Sequence, residues 1–415
     1  MIAVIADDLT GANDTGVQYK KSGYKTIVKI NSDFNMNDIE NYDVVSINAD
    51  SRILDMKSGY IKVLNIADRF NDIEYEYIYK KMDSVFRGNI GTEIEAVLDA
   101  VNPDITLAAP SFPANRRVVK NGYSYMLNDE GELGKSIINV TELIQRELNR
   151  SIENISLDIV REGTDHLISY IESRLQDGVN VFLADAINDG DLKIIAEVYK
   201  KINKKVVFCG SAGLAQQLAI INPKMTEIDY VNEDGITLLV VGTRNKSTLS
   251  QTNNIKEAYN LPVFDVNVSE IIDGKQDNLI KRIIDEVNCY ITKGNKLIIL
   301  KTSKDDEIEF EESLKQDSNE VMKSQKIVKT LGAIVKQLNK LVNLKYIVST
   351  GGDTSMQICK SLNAQGIELI DEIEPGIPIG KIVGGDADGT LIVTKSGGFG
   401  TDNVFIKIME YIKNI

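Results

Sequence analysis

Short, wholly apolar runs alternate along the chain with longer stretches in which apolar residues return every three or four positions. The first kind reads as buried strand and the second as amphipathic helix. Ile2-Ala3-Val4-Ile5-Ala6 opens as a strand, and residues 11–21 read as the helix that follows it. Further strands are expected at 26–30, 44–47, 77–79, 105–108, 179–184 and 205–208, with helices at 57–70, 92–101 and 191–201. On the 92–101 helix, Ile94, Val97, Leu98 and Val101 fall on one face.

The pattern breaks at 222–235, which is polar, carries Pro223 and holds neither period. A domain boundary belongs there, giving domains at 1–222 and 236–415 joined by a linker at 223–235. A second series follows: strands at 236–241, 262–266, 296–300 and 346–349, then a glycine-rich tail of short strands over 379–393. Helices at 248–259, 278–291, 320–341 and 354–362 lie between them, and the acidic stretch 305–312 reads as a solvated loop or helix start. The expected fold class is α/β, with two domains, each a mainly parallel sheet flanked by helices. A chain of 415 residues is long enough for each domain to bury its own core.

Charge and composition narrow the function classes. The chain is 43% hydrophobic and 26% charged, as a folded globular protein is. Its 47 basic and 61 acidic residues leave a net charge of −14, which argues against a partner read through its phosphate backbone and against an anionic membrane surface. No apolar run reaches the roughly 18 residues of a membrane span. Cys209, Cys289 and Cys359 are odd in number, dispersed and outside any CxxC pattern. With no signal-like leader, they point to the cytoplasm, where they would serve as small buried apolar residues. The only histidine, His166, stands before Leu167-Ile168 as helix-start decoration, so Ser–His–Asp and Cys–His hydrolase mechanisms lack a base.

Candidate chemistry gathers where strands end. Asp7-Asp8-Leu9-Thr10-Gly11-Ala12 follows the first strand directly, at the edge where open α/β sheets bind ligands. Its carboxylates can accept from hydroxyls or serve as a base, although either Asp could simply cap the helix. Lys81, Asp83, Arg87 and Asn89 place two cations, a carboxylate and an amide on one loop, which suits a hydroxy acid. Ala109-Pro110-Ser111-Phe112-Pro113-Ala114-Asn115-Arg116-Arg117 is a third strand-end segment whose arginines could face an anion. The second domain has three strand-to-helix or glycine-rich turns: Gly242 to Thr248, Ser349 to Thr354, and Lys395 to Gly400. Such turns present backbone N–H groups to phosphate. None matches the P-loop, the protein-kinase signatures or the dinucleotide fingerprint.

Together these segments resemble the four-carbon acid sugar kinase family. The resemblance rests on Ile5 to Gly16, Lys81-Met82-Asp83-Ser84 with Arg87-Gly88-Asn89, Ala109 to Arg117, Gly351-Gly352-Asp353-Thr354, and Lys395-Ser396-Gly397 with Phe399-Gly400, in the family's order. It implies an N-terminal sugar-acid domain, a C-terminal nucleotide domain, and ATP-dependent phosphorylation of threonate, erythronate or 3-oxo-tetronate at the terminal hydroxyl. The partners implied are a sugar acid, ATP and Mg2+; a homodimer is left open.

Substrate contacts would fall on Asp7, Asp8, Lys81, Asp83, Arg87 and Asn89, with Asp8 or Asp83 orienting or deprotonating the hydroxyl and Lys81 and Arg87 holding the carboxylate. ATP contacts would fall on Asn245, Ser247, Gly351, Gly352, Asp353, Thr354 and Gly397. The chain departs from the family at Gly242-Thr243-Arg244-Asn245, where Gly-Ser-Cys-Ser is usual. It departs again at Asp353 for Glu, Gly398 for Asn, and Gly122-Tyr123 for Gly-His. Competing readings are a non-catalytic nucleotide or sugar-acid binder and a hydroxy-acid oxidoreductase.

Overall fold

The computed structural model describes residues 1–224, 235–242, 245–303 and 318–414. The acidic stretch 305–312 and most of the expected linker lie outside them. The chain divides into two compact units, Met1–Glu227 and Ile228–Ile415.

In the first unit, strands β1 (Ile2–Ala6), β2 (Thr26–Lys29), β3 (Val44–Asn48), β4 (Tyr77–Lys81) and β5 (Ile105–Ala109) are buried along their whole length. That burial is why their sequences read as unbroken apolar runs. β6 (Arg117–Lys120), β7 (Tyr123–Leu127) and β8 (Leu133–Asn139) form a separate antiparallel sheet, while β9 (Ile152–Ile155), β10 (Val181–Ala184) and β11 (Val206–Gly210) join the main one. The main sheet is parallel throughout, in the order β2-β3-β1-β4-β11-β5-β10-β9. Helix Leu9–Lys21 carries the chain from β1 to β2 on one side, and helix Met56–Asp68 carries it from β3 across to β4 on the other. The direction of winding therefore reverses around β1, and a crevice opens at the carboxyl ends of its neighbours. Asp185, fully buried, ties the small sheet to the large one by accepting from Asn121 N (2.5 Å) and Gly122 N (3.1 Å).

In the second unit β12 (Ile236–Val241), β13 (Val263–Val266), β14 (Leu297–Thr302), β15 (Leu344–Thr350), β16 (Gly366–Glu374), β17 (Ile377–Val383) and β18 (Leu391–Lys395) run in the order β13-β14-β12-β15-β18-β17-β16. The first five are parallel; β17 and β16 fold back as an antiparallel meander, so the glycine-rich tail is not a continuation of the parallel pattern. Helix Val404–Asn414 closes the core by burying Val404, Phe405, Ile408, Met409 and Ile412 against Leu239, Val348 and Val393.

Two cysteines behave as the sequence suggests. Cys209 and Cys359 are fully buried, and that burial pushes both thiols up to about 12. Cys289 does not: it is exposed on helix Gln276–Ile291, whose inward positions are Leu279, Ile280, Ile283, Ile284 and Val287.

Candidate active site

Parallel register sets the first cluster. Ala6 pairs with Asn48 and Ile5 with Lys80, so the residues just past β1, β3 and β4 emerge side by side. Asp8 caps helix Leu9–Lys21 by accepting from Gly11 N at 2.7 Å, and its other oxygen meets Arg52 Nη1 at 2.5 Å. Arg52 also donates to both Asp7 oxygens, from Nε at 2.6 Å and Nη2 at 3.0 Å, and Nη2 lies 3.4 Å from Asp83. Asp83 in turn receives Arg87 through Nε (2.9 Å), Nη2 (3.1 Å) and its backbone N (3.0 Å). Lys81 Nζ donates to Met82 O at 2.8 Å, while Lys80 Nζ pairs with buried Glu93 at 2.7 Å. Asp7, Lys81, Asp83, Arg87 and Asn89 line one small cavity.

The structure therefore brings Asp7, Asp8, Lys81, Asp83 and Arg87 together. Asn89 faces the same cavity, but its amide donates to Leu54 O at 2.8 Å and so also ties down the 52–54 loop. Arg52 is the residue that sequence reasoning missed. It stands four residues beyond β3, a strand-end position like the others, but that β3 lies beside β1 is visible only in the fold.

The carboxylates are not equivalent. Burial pushes Asp8 up, with Arg52 opposing and Asp7 adding to it. Burial also acts upward on Asp83, but hydrogen bonds from Arg87 and the charge of Arg52 outweigh it and hold that group well below the usual carboxylate range. Asp8 is the most accessible of the three, with 21% of its side chain exposed against 6% for Asp7 and 8% for Asp83. Arg52 stays charged: burial works against the cation, and Asp8 and Asp7 more than compensate.

The second cluster also follows from register. Val241 pairs with Thr350, and Thr350 with Lys395, so the turns after β12, β15 and β18 lie in one row. Asn245 caps helix Lys246–Tyr259 by accepting from Ser247 N at 3.0 Å. Thr248 Oγ1 donates to Gly397 O at 2.6 Å and receives buried Lys395 Nζ at 2.9 Å. Gln251 Nε2 reaches Phe399, Gly400 and Thr401 carbonyls at 3.0 to 3.3 Å, pinning the last turn to the helix. Gly351 precedes helix Gly352–Ser361 at φ +92°, a conformation that favours glycine. A Cβ on Gly242 would stand 2.1 Å from Thr354 Oγ1, so only glycine lets β12 approach that helix.

Asn245, Ser247, Gly351, Gly352, Asp353, Thr354 and Gly397 all belong to this row, whose helix starts turn N–H groups outward. Thr350 Oγ1 and Gln251 Oε1 are buried there with no hydrogen-bond partner among the described residues. Thr243 and Arg244 lie outside those residues.

Residues 2–218 match the sugar-binding N-terminal domain family, and residues 238–405 match the nucleotide-binding C-terminal domain family. A D-threonate kinase from Salmonella typhimurium is 25% identical, with 99% of this chain and 98% of the relative aligned. A D-erythronate kinase from Heliobacterium modesticaldum is 26% identical over 99% and 97%. A 3-oxo-tetronate kinase from Burkholderia multivorans is 23% identical over 99% and 97%. Among solved structures, a Salmonella typhimurium LT2 protein superposes with a TM-score of 0.82 at 21% identity, covering 99% of each chain. A Haemophilus influenzae protein gives 0.75 at 20%, over 99% of this chain and 100% of its own. Structural likeness at that identity establishes the fold. The sequence matches span both units, and the chain belongs to the four-carbon acid sugar kinase family.

Proposed function

We propose that the chain is an ATP-dependent kinase that transfers a phosphoryl group to the terminal hydroxyl of a four-carbon sugar acid such as threonate, erythronate or 3-oxo-tetronate. The observation that carries the reading is the Asp7–Asp8–Arg52–Asp83 cluster at the switch point of the first sheet. It offers fixed carboxylate acceptors to a polyol, with Lys81 and Arg87 lining the same cavity. In this reading the row of turns after β12, β15 and β18 receives the triphosphate on its backbone N–H groups. The two domains would be residues 1–222 and 236–415, the first for the acid and the second for the nucleotide.

Phosphoryl transfer needs an aligned attacking oxygen and compensation of developing charge more than covalent help from the protein. Asp8 is the group suited to receive the hydroxyl proton: it is the most reachable carboxylate, and its environment raises its basicity. Asp83, held ionised by Arg87 and Arg52, anchors the cation array instead. Two carboxylates driven in opposite directions by their surroundings mark such a division of roles. Among the described residues no group of three or more His, Cys, Asp or Glu side chains is placed to hold a metal ion. In this reading Mg2+ arrives on the phosphates with water in most of its positions.

A coupled ADP-release screen over threonate, erythronate and 3-oxo-tetronate isomers tests the reading. Asp8→Asn is expected to lower kcat on the accepted acid by roughly 100- to 10,000-fold, while Asp83→Asn chiefly raises KM. Near-normal turnover in both variants removes the carboxylate roles. Tight binding of an acid with no ADP formed would favour a sensor over an enzyme.

A further inference from the structure

Around the ends of β1, β3 and β4 the charges cancel: Asp7, Asp8 and Asp83 stand against Arg52, Lys81 and Arg87. Both Arg52 and Arg87 have their guanidinium groups engaged by carboxylates already in place. Such a cluster orders hydroxyl groups well, but it has no net charge to offer an acid. Arg117 lies outside that balance. It opens β6, and its neighbour Arg116 is exposed and paired with Asp129, whereas Arg117 Nη1 donates to the neutral hydroxyl of Ser84.

Its Nε is buried with no hydrogen-bond partner, and among the described residues no carboxylate forms an ion pair with it. Ser84 directly follows Asp83, so this guanidinium borders the same loop that carries the Asp83–Arg87 pair. It lines a neighbouring cavity with Ser84, Phe86, Pro110, Tyr125 and Ile137, whose walls are mainly apolar. Burial weakens the cationic form, and the charge of Asp83 only partly offsets this. A half-buried guanidinium beside apolar walls with one neutral partner is costly until an anion joins it.

We infer that Arg117, held in place by Ser84, binds the carboxylate of the substrate and sets the preference for a sugar acid over the neutral polyol of the same length. This rests on the kinase reading above. It gives the direct carboxylate contact to a residue outside the Lys81 and Arg87 pair, leaving those two to shape the surrounding potential. A planar guanidinium suits a planar carboxylate, and a lysine at this position would supply the charge without the fork.

The test compares kcat/KM for each accepted tetronate with that for the matching tetritol, using wild type, Arg117→Gln, Arg117→Lys and Ser84→Ala. In Arg117→Gln the KM for the acid is expected to rise roughly 10- to 100-fold, as loss of a charge-assisted hydrogen bond would predict. The acid-over-polyol ratio should collapse with it, Arg117→Lys should recover part of the ratio, and Ser84→Ala should move it the same way by less. A folded Arg117→Gln protein that keeps the acid preference, or that loses acid and polyol equally, overturns the inference. If Arg117→Gln does not fold, an unchanged ratio in Ser84→Ala overturns it instead. Should the wild type phosphorylate neither compound, the kinase reading fails. Calorimetric binding of tetronate then decides this inference separately: affinity lost in Arg117→Gln supports it, and affinity retained overturns it.

Discussion

Arg52 is the residue on which the first cluster depends, since it touches Asp7, Asp8 and Asp83 while only 18% of its side chain is exposed. Arg52→Leu leaves three clustered carboxylates without their shared cation. A loss of about 3–5 kcal/mol in urea unfolding at neutral pH is expected, and a loss below about 1 kcal/mol would mean that solvent screens the cluster. Lys395 gives a pH-dependent counterpart in the second cluster. Its amine is buried, and burial lowers it from 10.5 to about 8. The unfolded chain therefore binds more protons than the folded one between pH 8 and 10.5, and this group's contribution to stability rises across that window. Unfolding free energies measured from pH 7 to 10.5 should show wild type gaining on Lys395→Met; parallel curves would mean that an anionic partner at that amine offsets its burial. Asp7, Asp8, Lys81, Asp83 and Arg87 were legible because each sits within a few residues of a recognisable strand end. Arg52 was not, because its role comes from the adjacency of β1 and β3, which no local pattern encodes.

Elements were read well in kind and less well at their edges. Helix starts were expected at 11, 191, 248 and 354, and the helices begin at Leu9, Asp189, Lys246 and Gly352. Each starts two residues early, and in three of the four a side-chain cap decides where the backbone first turns. Asp8, Asn188 and Asn245 are such caps. Asn188→Ala, which removes the acceptor 2.9 Å from Asp191 N, should cost about 1 kcal/mol by thermal or urea unfolding and leave kcat/KM unchanged. A drop in kcat/KM with stability intact would show that this helix start serves the site. The β6-β7-β8 sheet escaped the sequence reading altogether. Its strands are short and partly exposed, and β8 is mostly open to solvent, so neither an apolar run nor a clean alternation marks them. Arg117 opens one of those strands; the sequence marked it with Arg116 as able to face an anion, and the fold separates the two, pairing Arg116 with Asp129 and setting Arg117 against Ser84.

At the scale of the molecule, each unit has a core of its own: one built on Tyr79, Leu107, Phe182 and Phe208, the other on Leu239, Val348, Val393 and Phe405. Each also assembles its chemistry at one row of strand ends. Hydrogen exchange should therefore give two separable footprints. A tetronate alone should protect amides near 7–12, 50–54 and 82–93, and ATP with Mg2+ should protect those near 245–251, 351–356 and 396–401. Protection by the acid centred on the second set would reverse the assignment of the units. The antiparallel turn-back of β16 and β17 was not visible in the sequence, because strand direction leaves no local trace in composition.

The solvent-facing thiol of Cys289 has a practical consequence. Cys209 and Cys359 are sealed in the interior and nearly impossible to ionise at neutral pH, so a maleimide dye added to the unmodified chain should attach at one place, on the helix Gln276–Ile291. The chain thus carries its own labelling handle, distant in sequence from every strand-end turn described above, and fluorescence can follow the second unit without a single engineered substitution.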